Sequence, residues 1–225
     1  MADDANPQWV DHCIVSSCDA FERVLRHRAA AHRFGDGFLS EAIVGTLDRL
    51  GVRVDLTLEP GVNGRVTHRN EVHTAVATDC GQAPRTPYRP ARDDFRTASG
   101  TNARRISLLP LSTCQVPWYL QVPRRLYHRV RPAADGMNAA EPLRAVVAVH
   151  PGLRPYLFRR LIDRLLGSSA TTHLALIVRS SDGTWPEQLQ RIRSNMCALA
   201  SHPLARRFRF VGPEAAVEML QDGRA

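Results

Sequence analysis

Lysine is absent from this chain. All 30 basic side chains among its 225 residues are arginines. This excludes catalysis through a lysine Schiff base and phosphate binding through a P-loop lysine. The formal net charge of +8 is carried by guanidinium groups spread along the sequence, with pairs at Arg104-Arg105, Arg124-Arg125, Arg159-Arg160 and Arg206-Arg207. Aromatic residues are scarce, at 6%. A nucleic-acid footprint is a concentrated basic stripe with interleaved aromatics, so a nucleic acid is not the expected partner. No apolar run approaches the ~20 residues of a membrane span, and no membrane partner is expected. The opening Met-Ala-Asp-Asp-Ala-Asn-Pro is acidic and polar, unlike a secretory signal, so the expected location is cytoplasmic. The five cysteines at 13, 18, 80, 114 and 197 are odd in number and form no Cys-x-x-Cys pair, which predicts reduced, mostly buried thiols. His12-Cys13 with Cys18 is read as part of a helix with Cys13 in its core face, not as a zinc site. Gly-x-Gly-x-x-Gly, Walker, Gly-x-Ser-x-Gly and His-Glu-x-x-His motifs are all missing, so nucleotide cofactors and serine-hydrolase chemistry have no support.

What is present is alternation. Asn6-Pro7 suits an N-cap and first helical turn. From there Val10, Cys13, Ile14, Ser17, Phe21, Val24 and Leu25 recur at helical spacing, predicting a helix that ends near Arg28. A strand is predicted at 31–34. Ser40 caps a second helix with Ile43, Val44, Leu47 and Leu50 on one face and Gly51 as its stop, and a strand follows at 52–58. Two long loops are predicted at 61–105 and 112–142. The first holds one strand-like run at 72–78, and a buried strand at 106–111 separates the two. Loops this long in a compact domain tend to be functional. The last third alternates cleanly: strands at 145–150, 173–179 and 207–211, helices at 156–166, 187–200 and 213–220. The pattern predicts one α/β domain over 1–225 with a largely parallel sheet, a barrel or an open sheet. The strands fall short of the eight in a complete barrel, and the deficit lies upstream.

In parallel α/β folds the C-terminal strand ends share one rim. The predicted strands place Arg33 and Asp36 there, then Glu59, Thr113, His150, and finally Arg179 and Asp182. Such a rim suits acid/base work. His150 closes an apolar strand ahead of Pro151-Gly152. It serves either as a general acid, with an ordinary pKa near neutrality, or as a strand-end histidine bonded to a loop. Asp55, inside a strand, is read as structural, pairing with an arginine or capping a neighbouring backbone. Asp93-Asp94 are read as the cap of a short helix. Tyr88, Trp118, Tyr119 and Trp185 suit stacking on sugar faces as well as core packing.

Two segments carry a resemblance. They are His32-Arg33-Phe34-Gly35-Asp36-Gly37-Phe38-Leu39-Ser40 and, after the helix, Leu50-Gly51-Val52-Arg53-Val54-Asp55-Leu56-Thr57-Leu58-Glu59-Pro60-Gly61. They resemble the middle of polysaccharide deacetylase-like (NodB-homology) barrels. Pro87-Tyr88-Arg89-Pro90, Leu108-Leu109-Pro110-Leu111-Ser112 and Phe210-Val211-Gly212-Pro213-Glu214-Ala215-Ala216 fit the same order, so the likeness spans most of residues 9–220.

The resemblance implies a seven-stranded (β/α) barrel whose relatives remove acetyl groups from sugar polymers. They use a divalent metal held by an Asp and two His, a catalytic Asp base and a His acid. Arg33 matches the arginine that orients the base, although the usual Pro-Tyr or Pro-Phe does not follow it. His150 in Ala148-Val149-His150 matches the acid of a Leu-x-His strand end, without the Leu. Asp36 accompanies these two as a catalytic candidate. Glu59, Tyr88, Arg89, Trp118 and Asp182 are the substrate-binding candidates. The paired aspartates and the His-x-x-x-His of the first two strands have no counterpart. The chain is therefore expected to be a partial barrel lacking its first strands, with no metal ligands of its own. Zinc or another divalent metal is expected only if upstream ligands exist. A carbohydrate is the expected partner, acetyl hydrolysis is expected to be lost, and self-association through exposed sheet edges is anticipated. The alternatives are a non-catalytic carbohydrate- or protein-binding module and a basic nucleic-acid binder.

Overall fold

A computed structural model describes residues 6–35, 38–62, 78–117, 146–178 and 184–221. They belong to the mixed α/β class. The chain divides into two compact units. The first comprises Met1–Ser112, Ser169–Ala175 and Arg206–Ala225; the second comprises Thr113–Ser168 and Leu176–Ala205. The predicted run at 72–78 lies, apart from Thr78, outside the described residues. Among the described residues, no helix is long and apolar enough to cross a membrane.

The first unit opens with α1 (Pro7–Leu25), whose Asn6 side chain accepts from the backbone N–H groups of Gln8 (3.1 Å) and Trp9 (3.2 Å). It stops before Arg28, at Arg26, which adopts φ 60 and bonds back to the Glu22 carbonyl. Val10 and Ile14 are buried, but Phe21, Val24 and Leu25, predicted for the same face, are exposed. The reason is length. The partner helix α2 (Glu41–Arg49) has 9 residues against 19 in α1 and covers only its first part. Ser40 caps α2 as predicted by accepting from Ile43 N–H, and Ile43, Val44 and Leu47 are fully buried. Gly51 ends it at φ +78, a conformation that favours glycine.

Strands β1 (Ala31–His32), β2 (Val54–Asp55) and β3 (Ser107–Leu108) lie in that order, all parallel; Val54 pairs with Ala31 on one side and Ser107 on the other, and Asp55 with His32 and Leu108. They are shorter than the predicted 31–34, 52–58 and 106–111. The pairing nevertheless runs on: Leu56 N–H donates to His32 O, Leu109 to Asp55 O and Leu111 to Leu58 O. Ile106 and Leu108 pack with α1 and α2. Val54 and Leu109 pack with Val217 of α5 (Pro213–Gln221). Within this unit the sheet therefore has an apolar layer on each face, as a parallel sheet requires. The edge of β3 is taken at Leu108 by an antiparallel exchange with Tyr88.

Farther along, the 173–175 segment runs beside 110–112. Ser112 N–H donates to Ala175 O, Ala175 N–H donates to Ser112 Oγ, and His173 Nε2 donates to Pro110 O at 3.0 Å. Two of these three bonds use side chains, so the predicted strand at 173–179 forms no ladder across its described part. The predicted strand at 207–211 is also absent. Ala205–Arg207 is a 3-10 turn, and Phe210 and Val211 are exposed, so the alternation there has no partner to bury it.

In the second unit β4 (Thr113–Gln115) pairs antiparallel with β5 (Val146–Ala148), Cys114 opposite Val147. Two expectations change. The strand predicted at 145–150 is shorter and antiparallel, and its partner lies inside the predicted 112–142 loop. Three residues without alternation carry too little pattern to read as a strand. Helices α3 (Pro155–Leu166) and α4 (Pro186–Ala200) pack on each other, with Phe158, Leu161, Ile162, Ile192 and Leu199 buried.

All five cysteines are free thiols, of which Cys80 and Cys114 are buried, Cys13 and Cys18 half-buried and Cys197 exposed. Burial pushes the Cys80 thiol up to about 11. Iodoacetamide at pH 8 is expected to label Cys197 quickly and Cys80 only after denaturation; equal labelling of the two in the folded chain would contradict the burial. His173 is held below the ordinary histidine range, chiefly by burial, against the opposing pull of the Pro110 carbonyl. The unfolded chain then binds the proton more readily, so stability is present above about pH 6.5 and falls as pH drops towards the folded pKa. His173→Gln keeps a donor for Pro110 and is expected to flatten the decline in urea-unfolding free energy below pH ~6.5. An unchanged slope would remove His173 from that role.

Candidate functional site

The ends of β1 and β2 bring the most organised polar group of the first unit together. The register sets His32 beside Asp55, and Asp55 is fully buried. A carboxylate out of water needs donors on both oxygens. Oδ1 accepts from Thr57 N–H at 2.8 Å. Oδ2 accepts from the Thr57 hydroxyl at 3.0 Å and from His32 Nδ1 at 2.8 Å. The Thr57 hydroxyl accepts in turn from Phe34 N–H at 2.8 Å, and the Phe34 ring meets the His32 ring edge-to-face at 5.0 Å. An ionised carboxylate only accepts, so Nδ1 carries the proton and Nε2 is the nitrogen left to exchange one. The His32 side chain keeps 21% of its surface exposed. The arrangement is an oriented imidazole at the rim of a parallel sheet, able to accept or donate a proton at Nε2.

Asp55 was expected to pair with an arginine or cap a backbone group. It does cap Thr57, but its partner on the neighbouring strand is His32, not an arginine. His32 is the functional candidate the sequence reading missed. The only sequence signal was that both residues fall inside strands; the register that joins them is a three-dimensional fact.

Arg33 follows His32 and is half-buried, and Glu59, also half-buried, lies past the end of β2. Just beyond it Gly61 adopts φ +82, and Gly61 and Val62 exchange backbone bonds with Cys80. Tyr88 is buried, and its hydroxyl donates to Phe95 O at 2.8 Å. Burial pushes that hydroxyl far above its ordinary pKa. Its ring is therefore part of the core. Arg89 is exposed, and its carbonyl accepts from Ser99 N–H. Asp94 accepts from the backbone of Arg96, so the aspartate predicted to cap a helix closes a turn instead. Asp36, Trp118, Tyr119, Arg179 and Asp182 lie outside the described residues.

His150 follows β5 in the second unit. Its carbonyl accepts from Leu153 N–H, and a Cβ on Gly152 would come 3.0 Å from its Nδ1, a tight contact that the imidazole would have to shift to relieve. Asn195 of α4, fully buried, fastens this turn by donating to Pro151 O (2.6 Å) and Leu153 O (2.8 Å). Trp185, at the start of α4, is 67% exposed.

The metal that the resemblance implies is not matched by the described residues. No three His, Cys, Asp or Glu side chains converge among them, and in the His32–Asp55 pair both carboxylate oxygens and the imidazole Nδ1 are taken up by hydrogen bonds within the group. Comparison with protein-family models, with curated proteins and with solved structures finds no match.

Removing the Asp55 carboxylate orphans His32 and Thr57 together. Asp55→Ala is expected to lower stability by about 3–5 kcal/mol, and Asp55→Asn, which retains an acceptor for Thr57 N–H, by clearly less. Urea unfolding measures both. Equal and small losses would show that the network contributes little.

Proposed function

We propose that this chain is a polysaccharide deacetylase-like β/α protein, part of a seven-stranded barrel, that binds a carbohydrate at the strand ends of its first unit and does not itself hydrolyse acetyl groups. The observation that carries this reading is the chain-order parallel run of β1, β2 and β3 with Arg33 and Glu59 just past the strand ends. For Arg33 that is the placement the resemblance implies for an orienting arginine, and it sets Glu59, a substrate-binding candidate, past the end of the neighbouring strand. The imidazole of His32, held by Asp55, supplies a hydrogen-bonding group for sugar hydroxyls beside Arg33. The family's hydrolytic step needs a metal that the described side chains do not fit, and no step is routed through one.

The test is paired. Calorimetric titration with N-acetylchitohexaose is expected to show saturable binding that chelator does not remove and that Arg33→Ala weakens by about tenfold, the scale of one charge-assisted contact. Acetate release, with and without added zinc, is expected to stay at the blank. Chelator-sensitive acetate release would overturn the absence of hydrolysis, and failure to bind the oligosaccharide would overturn the carbohydrate reading.

A further inference from the structure

On the helical side of the first unit, away from the residues just described, α1, α2 and the segment 92–105 enclose an open groove of about 900 Å³. Four arginines line it: Arg49, Arg92, Arg104 and Arg105. Its two carboxylates are already engaged. Asp11 accepts from the Thr46 hydroxyl and, at 2.7 Å, from Arg49. Asp48 accepts the backbone N–H groups of Arg105 (2.8 Å) and Ile106 (2.9 Å). Arg104 pairs with Glu41 and donates to Arg92 O, while its Nε–H is buried without a hydrogen-bond partner among the described residues. The guanidinium groups of Arg92 and Arg105 are exposed, and neither has an ion-pair partner among the described residues. The floor is small: Ala42 and Gly45 lie beneath, and a Cβ on Gly45 would come 3.2 Å from the Arg104 guanidinium.

We propose that this groove binds an acidic saccharide, a sugar chain carrying carboxylate or sulfate groups. Each property of the groove selects that class. Two uncommitted guanidinium forks match planar carboxylate or sulfate oxygens in bidentate fashion. Gln8 offers an amide group for sugar hydroxyls, and among the described residues no aromatic side chain lines the groove. Single-stranded nucleic acids rely on aromatic stacking platforms, which this surface lacks. The volume lies in the range of sites for ligands of a few rings. The proposal stands apart from the strand-end reading, since neither Arg33 nor Glu59 lines the groove.

A basic protein attracts any polyanion, so the experiment must separate a site from diffuse charge. A heparin-derived hexasaccharide is titrated calorimetrically into the full chain, with neutral chitohexaose and a single-stranded oligonucleotide of matched charge as comparators. Saturable binding of the sulfated sugar is expected. Arg92→Ala with Arg105→Ala should weaken it by at least about tenfold. Arg159→Ala with Arg160→Ala removes the same charge from exposed positions on α3 and should change it by less than about twofold. Arg33→Ala should leave it intact. Circular dichroism melts check that each variant is folded; all four groove and control positions are exposed or rim residues. Equal losses in the two double variants, tighter binding of the oligonucleotide, loss on Arg33→Ala, or no saturation in the wild type would each overturn the proposal.

Discussion

Asp55 sits where a parallel sheet ordinarily places valine or isoleucine, fully buried between two strands. An unpaired carboxylate there would be intolerable, and its three donors dictate what surrounds it. His32 must be in register on β1, Thr57 must turn its own N–H and hydroxyl back two residues later, and Phe34 must approach closely enough to donate to that hydroxyl. The group thus ties the relative slide of β1 and β2 to a set of hydrogen bonds as well as to apolar packing. It also decides which imidazole nitrogen faces outwards. The register of the sheet and the chemistry of its rim are one constraint.

Around that group the first unit follows ordinary α/β logic. Parallel strands need cover on both faces, and α1 with α2 supply one layer and α5 the other. The second unit solves a different problem, an antiparallel pair and two helices joined through buried Phe158, Leu161 and Ile192. There the fully buried Asn195 donates to two turn carbonyls, those of Pro151 and Leu153.

Helices were legible because their signals are local. Ser40, Gly51 and the apolar spacing of Ile43, Val44 and Leu47 predict α2 almost to the residue, and the helices at 155–166, 186–200 and 213–221 were expected within one residue at each end. Strands depended on partners the sequence does not name. Val146–Ala148 was recognised as a strand and given the wrong direction, because direction belongs to the pair. Arg-Phe-Arg-Phe-Val at 207–211 alternates well, yet finds nothing to bury Phe210 against. The candidate site shows the same division. Arg33 and Glu59 follow from counting past strand ends, whereas His32–Asp55 exists only in register, and Tyr88 in Pro-Tyr-Arg-Pro turns inward to a carbonyl seven residues away.

Arg53 shows how far apart in the chain the parts of the first unit lie. It stands beside the buried Asp55 pair, yet its own partners, Glu214 and Glu218, lie 161 and 165 residues later. The α1–β1–α2–β2 segment closes short loops and can assemble from its own contacts, while α5 must await the ordering or looping-out of everything between. The exposed ion pairs themselves hold little energy. Of the contacts that complete the first unit's sheet, those of α5 therefore close the longest loop in the chain's sequence.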